Sequence, residues 1–177
     1  MKGRVKTWVF VGIFVFCVCL VVSCYMVLKQ DMAVRAKDIE PHARSFQSIP
    51  EEWLAETSVG DEVAALVFYP NDSSDAVYSV YWRKGRSGMG YSFRAGGKIS
   101  TVKDGVTRFS IDGCNESAYI SLNTNNICKL IVDDGISLST IPLDSSKPFA
   151  IVLPSNAGSI YFYDIEGKIM EITDREF

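Results

Sequence analysis

The chain is poor in histidine: His42 is the only one among 177 residues. With no imidazole downstream of it, a Ser-His-Asp or Cys-His nucleophilic arrangement is excluded from everything after residue 42. The H-E-x-x-H pattern of zinc proteases is missing as well. Nor is there a surplus of positive charge. The 18 Lys and Arg against 21 Asp and Glu leave a formal net charge of −3, whereas a dedicated nucleic-acid binder needs basic residues for its phosphate contacts. Phosphate-cradling loops are absent: Gly85, Gly88 and Gly90 lie close together, but their spacing fits neither G-x-G-x-x-G nor G-x-x-x-x-G-K-[ST], and a hairpin loop accounts for them. Five cysteines are too few and too unevenly placed for a disulfide scaffold. No segment repeats at a fixed period, and beyond Asp61 no helical periodicity is sustained.

What the chain does have is one long apolar run. Residues 8–28, WVFVGIFVFCVCLVVSCYMVL, contain no charge and no proline and are bounded by Lys6 and Lys29. As a helix they would span roughly 30 Å, the thickness of a bilayer's hydrocarbon core. The run reads as a signal-anchor transmembrane helix with the lipid bilayer as its partner. Lys2, Arg4 and Lys6 precede it without an acid, so residues 1–7 are expected to form a cytoplasmic tail and the rest to lie on the extracytoplasmic side of the cell membrane. No A-x-A site precedes Lys29, so cleavage as an ordinary secretory signal is not expected. Val21-Val22-Ser23-Cys24 resembles the bacterial lipobox, which makes lipidation at Cys24 the alternative fate. Val in the leading position and the apolar continuation through Leu28 depart from that pattern. Cys17 and Cys19 read as small apolar residues of the same helix.

Residues 29–58 mix Ala33, Val34, Ile39, Phe46, Ile49, Trp53 and Leu54 with many charges and are interrupted by Pro41 and Pro50. Each proline disfavours helix at the residue before it. The segment is expected to be a juxtamembrane stalk with short helices, one of them starting at Pro50-Glu51-Glu52-Trp53. His42 falls in this stalk, where it is expected to be solvated, with no ligand cluster around it to hold a metal.

From residue 59 to 177 the rhythm changes to short runs rich in Val, Ile, Tyr, Phe and Thr, at 62–69, 76–84, 89–95, 98–102, 106–112, 117–122, 127–133, 136–141, 149–153, 159–164 and 168–172. Alternation is clear in places: Phe109 and Ile111 share a face opposite Arg108, Ser110 and Asp112, and Ala118, Ile120 and Leu122 oppose Ser117, Tyr119 and Ser121. One core face and one wet face per strand is the habit of antiparallel sheets. Gly96-Gly97, Asp134-Gly135 and Glu166-Gly167 read as hairpin turns, with further turns at Asp112-Gly113, 123–126 and 154–158. The expected fold class is all-β, an antiparallel β-sandwich, with a small barrel as second choice.

Cys114 and Cys128 are the only cysteines beyond the apolar run. A disulfide between them would close a loop of about 15 residues, worth ~3 kcal/mol. If 117–122 and 127–133 form a hairpin, Cys128 falls opposite Ser121, and at ~3.3 Å per residue it lies over ~20 Å from Cys114, far beyond the ~7 Å a bridge tolerates. The bridge then requires a different pairing, and free thiols are the favoured reading. Asp133/Asp134 and Asp164/Glu166 are carboxylate pairs of the kind used in glycoside hydrolysis, but both sit at turns, where solvated acids are common. Residues 71–75, NDSSD, offer oxygens to calcium without the ordered spacing of a calcium loop. Asn71-Asp72-Ser73 and Asn115-Glu116-Ser117 match the glycosylation acceptor, a pattern short enough to arise by chance. No catalytic residue, metal or cofactor is expected, and the chain reads as a non-enzyme.

One stretch points to a ligand. From Arg83 to Lys103 there are six cations and no acid, whereas the remainder from Phe46 onward has 5 cations against 18 acids. The candidate site is a basic and aromatic patch of Tyr81, Trp82, Arg83, Lys84, Arg86, Tyr91, Arg94 and Lys98, suited to an anionic surface polymer or an acidic protein partner. The function expected is therefore a single-pass, membrane-anchored protein whose external β-sandwich is a binding module at the cell surface. The alternative is a structural or regulatory subunit of a membrane complex.

Overall fold

The computed structural model describes residues 16–21, 33–71, 75–83, 90–99 and 105–177. The chain divides into two compact units, one ending at Met32 and the other running Ala33–Phe177. In the first, residues 16–21 are helical. The rest of the expected span 8–28, including Cys24, lies outside the described residues. Among the described residues no helix is long and apolar enough to cross a membrane.

The second unit begins with a 3-10 turn (Ala36–Asp38) and one helix, α1 (Ile39–Gln47), and continues as strands β1 (Leu54–Val59), β2 (Val63–Tyr69), β3 (Val77–Trp82), β4 (Ser92–Lys98), β5 (Val106–Ser110), β6 (Glu116–Ser121), β7 (Ile127–Asp133), β8 (Leu138–Pro142), β9 (Phe149–Pro154), β10 (Ser159–Asp164) and β11 (Ile172–Glu176). They make three sheets, ordered β1-β2-β3-β4, β11-β5-β6-β9 and β10-β7-β8. Every pairing is antiparallel except β11 on β5. The all-β expectation holds at that level. The arrangement differs from a pair of sheets because the chain from 122 to 126 does not fold β7 back on β6. It carries β7 into another layer, where β7 pairs with β8 and β10.

Burial shows how the layers stack. Val63, Ala65, Val67 and Tyr69 of β2 and Tyr78 and Val80 of β3 pack with Phe109, Ala118 and Ile120 of the second sheet. The opposite face of β2, Ala64, Leu66 and Phe68, packs under Ile39 and Ala43 of α1. The second sheet turns its other face, Val106, Tyr119, Phe149 and Leu153, onto Leu130 of β7 and Phe162 of β10. The order is therefore helix, first sheet, second sheet, third sheet. This explains why β2 reads VAALVFY with no polar residue: it is buried on both faces throughout. It also overturns the wet face expected for β6. Ser117, Tyr119 and Ser121 are all buried, and the hydroxyls are matched internally, with Ser121 Oγ donating to the Gly105 carbonyl at 2.6 Å and Ser117 Oγ within 3.1 Å of Ser155 Oγ.

The described part of the segment read as a stalk, from Ala33 onward, packs on the domain. Pro41 is third in α1, where its missing amide costs nothing because the first amides of a helix have no intrahelical partner. His42 is not solvated: its Nδ1 is 2.8 Å from the Tyr81 hydroxyl and its ring stacks on Phe46. Arg44 holds the following chain, donating to Glu40 and to the carbonyls of Pro50 and Trp53, with its guanidinium over Phe68. The helix expected from Pro50 is one turn, Trp53 N to Pro50 O at 3.3 Å, and gives way to β1. Gly96-Gly97 is not a hairpin turn but the interior of β4. A Cβ on Gly96 would come within 2.8 Å of Gln47 Oε1, Phe93 Cζ and the Tyr78 carbonyl, so glycine is what lets the end of α1 rest there. Gln47 Nε2 donates to Ser79 Oγ across that contact.

Candidate functional site

Two cations without a salt bridge among the described residues, Arg83 and Arg94, lie where β3 ends and β4 begins. Trp82 pairs with Ser92 across the hairpin, and a register shift between Val80 and Tyr81 re-aims the end of β3. Trp82 is half-buried, its ring packed against the core between the first two sheets. Arg94, exposed on β4, places its guanidinium 5.8 Å from the centre of the Trp82 ring. Arg83 follows directly, its backbone amide donating to the Glu62 carbonyl at 2.7 Å and its guanidinium 5.0 Å over Tyr91. Arg83 Nε is buried with no hydrogen-bond partner among the described residues. Cation-over-ring pairs of this kind are worth ~0.5–1 kcal/mol at exposed sites and hold the guanidinium planes still without neutralising them. Chemically, these are two separate cation–ring pairs, Trp82 belonging to the core between the first two sheets and Tyr91 to the core under α1, each leaving a guanidinium fit for a carboxylate, sulfate or phosphate group.

Not every residue expected in this patch belongs to it. Tyr81 is wholly buried beneath α1 and Tyr91 is nearly so; neither is a stacking platform. Tyr91 is instead a tie, its amide and carbonyl bonded to Val34 and its hydroxyl donating to the Gly60 carbonyl. The backbone of Val34 comes so close to Gly90, at φ +153°, that a Cβ there would strike the Val34 carbonyl. Lys98 sits at the far end of β4 from Arg94's neighbourhood, opposite Val77, and pairs with Asp75 at 3.1 Å. Lys84 and Arg86 lie outside the described residues. Of the patch, the structure pairs Arg94 with Trp82 and, separately, Arg83 with the buried Tyr91.

Burial pushes the Tyr81 phenol far above the ordinary tyrosine range. Tyr69, Tyr91 and Tyr119 are raised in the same direction, chiefly by burial. A phenol that ionises more easily in the unfolded chain leaves stability whole below its unfolded pKa of ~10 and removes it as pH climbs toward the folded value. The urea midpoint is therefore expected to fall above about pH 10, and Tyr81→Phe, although less stable at neutral pH for want of its His42 contact, is expected to fall less steeply. Equal slopes in the two proteins would show that Tyr81 is not the responsible group.

The disulfide considered for Cys114 and Cys128 is not formed; both are free thiols. Cys114 follows β5 and packs against the core between the first and second sheets, whereas Cys128 lies in β7 of the third, donating from Sγ to the Asp164 carbonyl. Burial and the carboxylates of Glu62, Glu116 and Asp112 hold the Cys114 thiol above its usual range. Three of the four carboxylates in the two pairs cap turns, and Glu166 is exposed. Asp133 accepts from Gly135 N, Asp134 from Ile136 N and Ser137 N, and Asp164 from Glu166 N and Lys168 N. Bonds from Ser137 and Ile136 hold the Asp134 carboxyl below the ordinary carboxylate range. Asp75 caps Ala76 N and pairs with Lys98, while 72–74 of the NDSSD stretch are outside the described residues. Among the described residues no group of three or more His, Cys, Asp or Glu is placed to hold a metal ion.

Two side chains with central roles were not singled out in the sequence as more than part of a short pattern or a turn. Glu116, noted there only within a glycosylation pattern, accepts from three backbone amides of the β1–β2 turn. Asn123, noted only as a turn residue, is buried and bonded on both sides of its amide. Neither has a sequence signal, since Glu116's partners are backbone groups far away in the chain and those of Asn123 include the carbonyls of Asp144 and Lys147 as well as nearby Ile127. No family model, no curated protein and no solved structure matches this chain, so the functional reading rests on the geometry alone.

Proposed function

We propose that this chain is a single-pass membrane-anchored protein, held by residues 8–28, whose extracytoplasmic all-β domain is a non-enzymatic module that binds an anionic polymer or an acidic protein at the cell surface. The observation that carries the reading is the pairing of Arg94 over Trp82 with Arg83 over Tyr91, both cations being without an acidic partner within salt-bridge distance among the described residues. Two positive planes fixed at one strand end give a multivalent anion two points of attachment at little cost in side-chain entropy. The overall negative charge of the chain sharpens the test, because retention on a polyanion must then come from a local patch and not from net charge.

The full-length chain in detergent is expected to be retained on a dextran sulfate column at low salt and released as salt screens the contact, the Debye length being ~10 Å at about 0.1 M. Arg83→Glu combined with Arg94→Glu abolishes retention, while Lys98→Glu, whose ammonium already faces Asp75, changes it little. Retention that survives the double reversal would remove this reading.

A further inference from the structure

β8 is the outer strand of the third sheet, bonded to β7 on one side only. Each of its residues is exposed, and nothing from Gly135 to Pro142 carries a charge. Sheets commonly blunt such an edge with lysine, a bulge or a covering loop; among the described residues none pairs with this one. The β7–β8 register decides which backbone groups are left over. Leu143 N donates to the Cys128 carbonyl and Asp134 N to the Ser137 carbonyl, with Leu130 opposite Ile141 and Val132 opposite Ser139. The alternation of an antiparallel ladder then assigns the amides and carbonyls of Ser139 and Ile141 to β7. Those of Leu138 and Thr140 point away from the sheet. Pro142, next on that side, has no N–H to offer.

This edge is complementary to itself. With a second β8 laid antiparallel about a two-fold axis at Ser139, Leu138 stands opposite Thr140 of the partner subunit and Thr140 opposite the partner's Leu138, each giving and accepting one backbone bond. Pro142 falls outside the paired register. Leu meets Thr and Ile141 meets Ser137, so no charge is set against a like charge within the strand. We propose that β8 pairs with β8 of a second copy of this chain, joining two three-stranded sheets into one continuous sheet. A foreign strand would need some feature to select it, and a neutral edge on an acidic protein supplies none. A second copy brings the matching spacing and neutrality by symmetry. The pairing also covers Leu138, 69% exposed as it stands, and extends a sheet face on which Ile131, Tyr161 and Tyr163 are at least partly exposed.

The test uses the full-length chain in mild detergent. Light scattering is expected to give twice the mass of one chain, falling toward the single mass on dilution. Directly opposed residues at a non-hydrogen-bonded position have Cα atoms ~4.5 Å apart, within reach of a disulfide. Ser139→Cys should therefore cross-link on mild oxidation, mapped to position 139 by peptide analysis, and Thr140→Cys, which faces Leu138, should not. Thr140→Lys and Leu138→Lys bring like charges to the axis and are expected to abolish the dimer with the far-ultraviolet circular dichroism unchanged. A parent chain that is monomeric at every concentration overturns the proposal. So does a dimer that persists in both lysine variants without a bond at position 139, as association through residues 8–28 or through the tyrosine-bearing sheet face would give.

Discussion

Replacing Glu116 by alanine is expected to lower the stability of the domain by about 2–3 kcal/mol, the range for a charged acceptor taken from several donors. Glu116 begins β6 in the second sheet and reaches the turn between β1 and β2 in the first. Its Oε1 accepts from Asp61 N at 2.9 Å, and its Oε2 accepts from Glu62 N at 2.8 Å and Val63 N at 2.9 Å. Glu62 returns the contact, accepting from the backbone amide and the side-chain amide of Asn115. The successive amides of the turn form a concave set of donors suited to one anion, and the carboxylate fills it. Truncation leaves Val63 N, in a wholly buried residue, without that acceptor. Glu116→Gln keeps the shape but turns one acceptor into a donor facing donors, so it should lose nearly as much. Urea midpoints measured beside Glu176→Ala, an exposed glutamate on β11, decide the matter. Equal small shifts at the two positions would mean that water replaces the carboxylate without cost.

Asn123→Ala is expected to be at least as costly, about 3 kcal/mol, because it removes both partners of a buried amide and forces alanine into the left-handed region. Asn123 sits at φ 57° between β6 and β7. Its Oδ1 accepts from Ile127 N at 2.5 Å, and its Nδ2 faces the carbonyls of Ile127, Asp144 and Lys147 at 3.1, 2.9 and 3.0 Å. One side chain thereby fixes the start of β7 and the approach to β9. Asn125→Ala, exposed in the same turn, is the comparison, and a midpoint shift at position 123 no greater than at 125 would refute the assignment.

Much of the strand content was legible because each run supplies its own signal. β7 and β10 fall on 127–133 and 159–164 as read, and Asp134-Gly135 makes the β7–β8 turn, with Gly135 at φ 81°. β1 was missed since Leu54–Val59, LAETSV, has weak alternation and follows a plausible helix start at Pro50. β4 was divided in two because Gly96-Gly97 carries turn chemistry, and what keeps it extended is the end of α1 lying against it. Of the candidate site, Arg83, Arg94 and Trp82 were legible as a charge and aromatic cluster. That Tyr81 and Tyr91 in the same cluster are core was not, because strand faces are assigned by what covers them, and α1 covers these from far along the chain.

Composition and local pattern alone determined that a charge-free run precedes a β-rich region, that no histidine follows residue 42, and where most strands run. These depend on residues close in sequence, whose propensities and spacing act before any long-range contact forms. Only the tertiary structure decided that, among the described residues, there are three sheets, β2 and β6 are buried on both faces, a helix roofs the first sheet, and β8 is left with an open edge. Those outcomes depend on which apolar faces bury one another and on carboxylate and amide groups, Glu116 and Asn123 foremost, whose partners are backbone atoms of other segments.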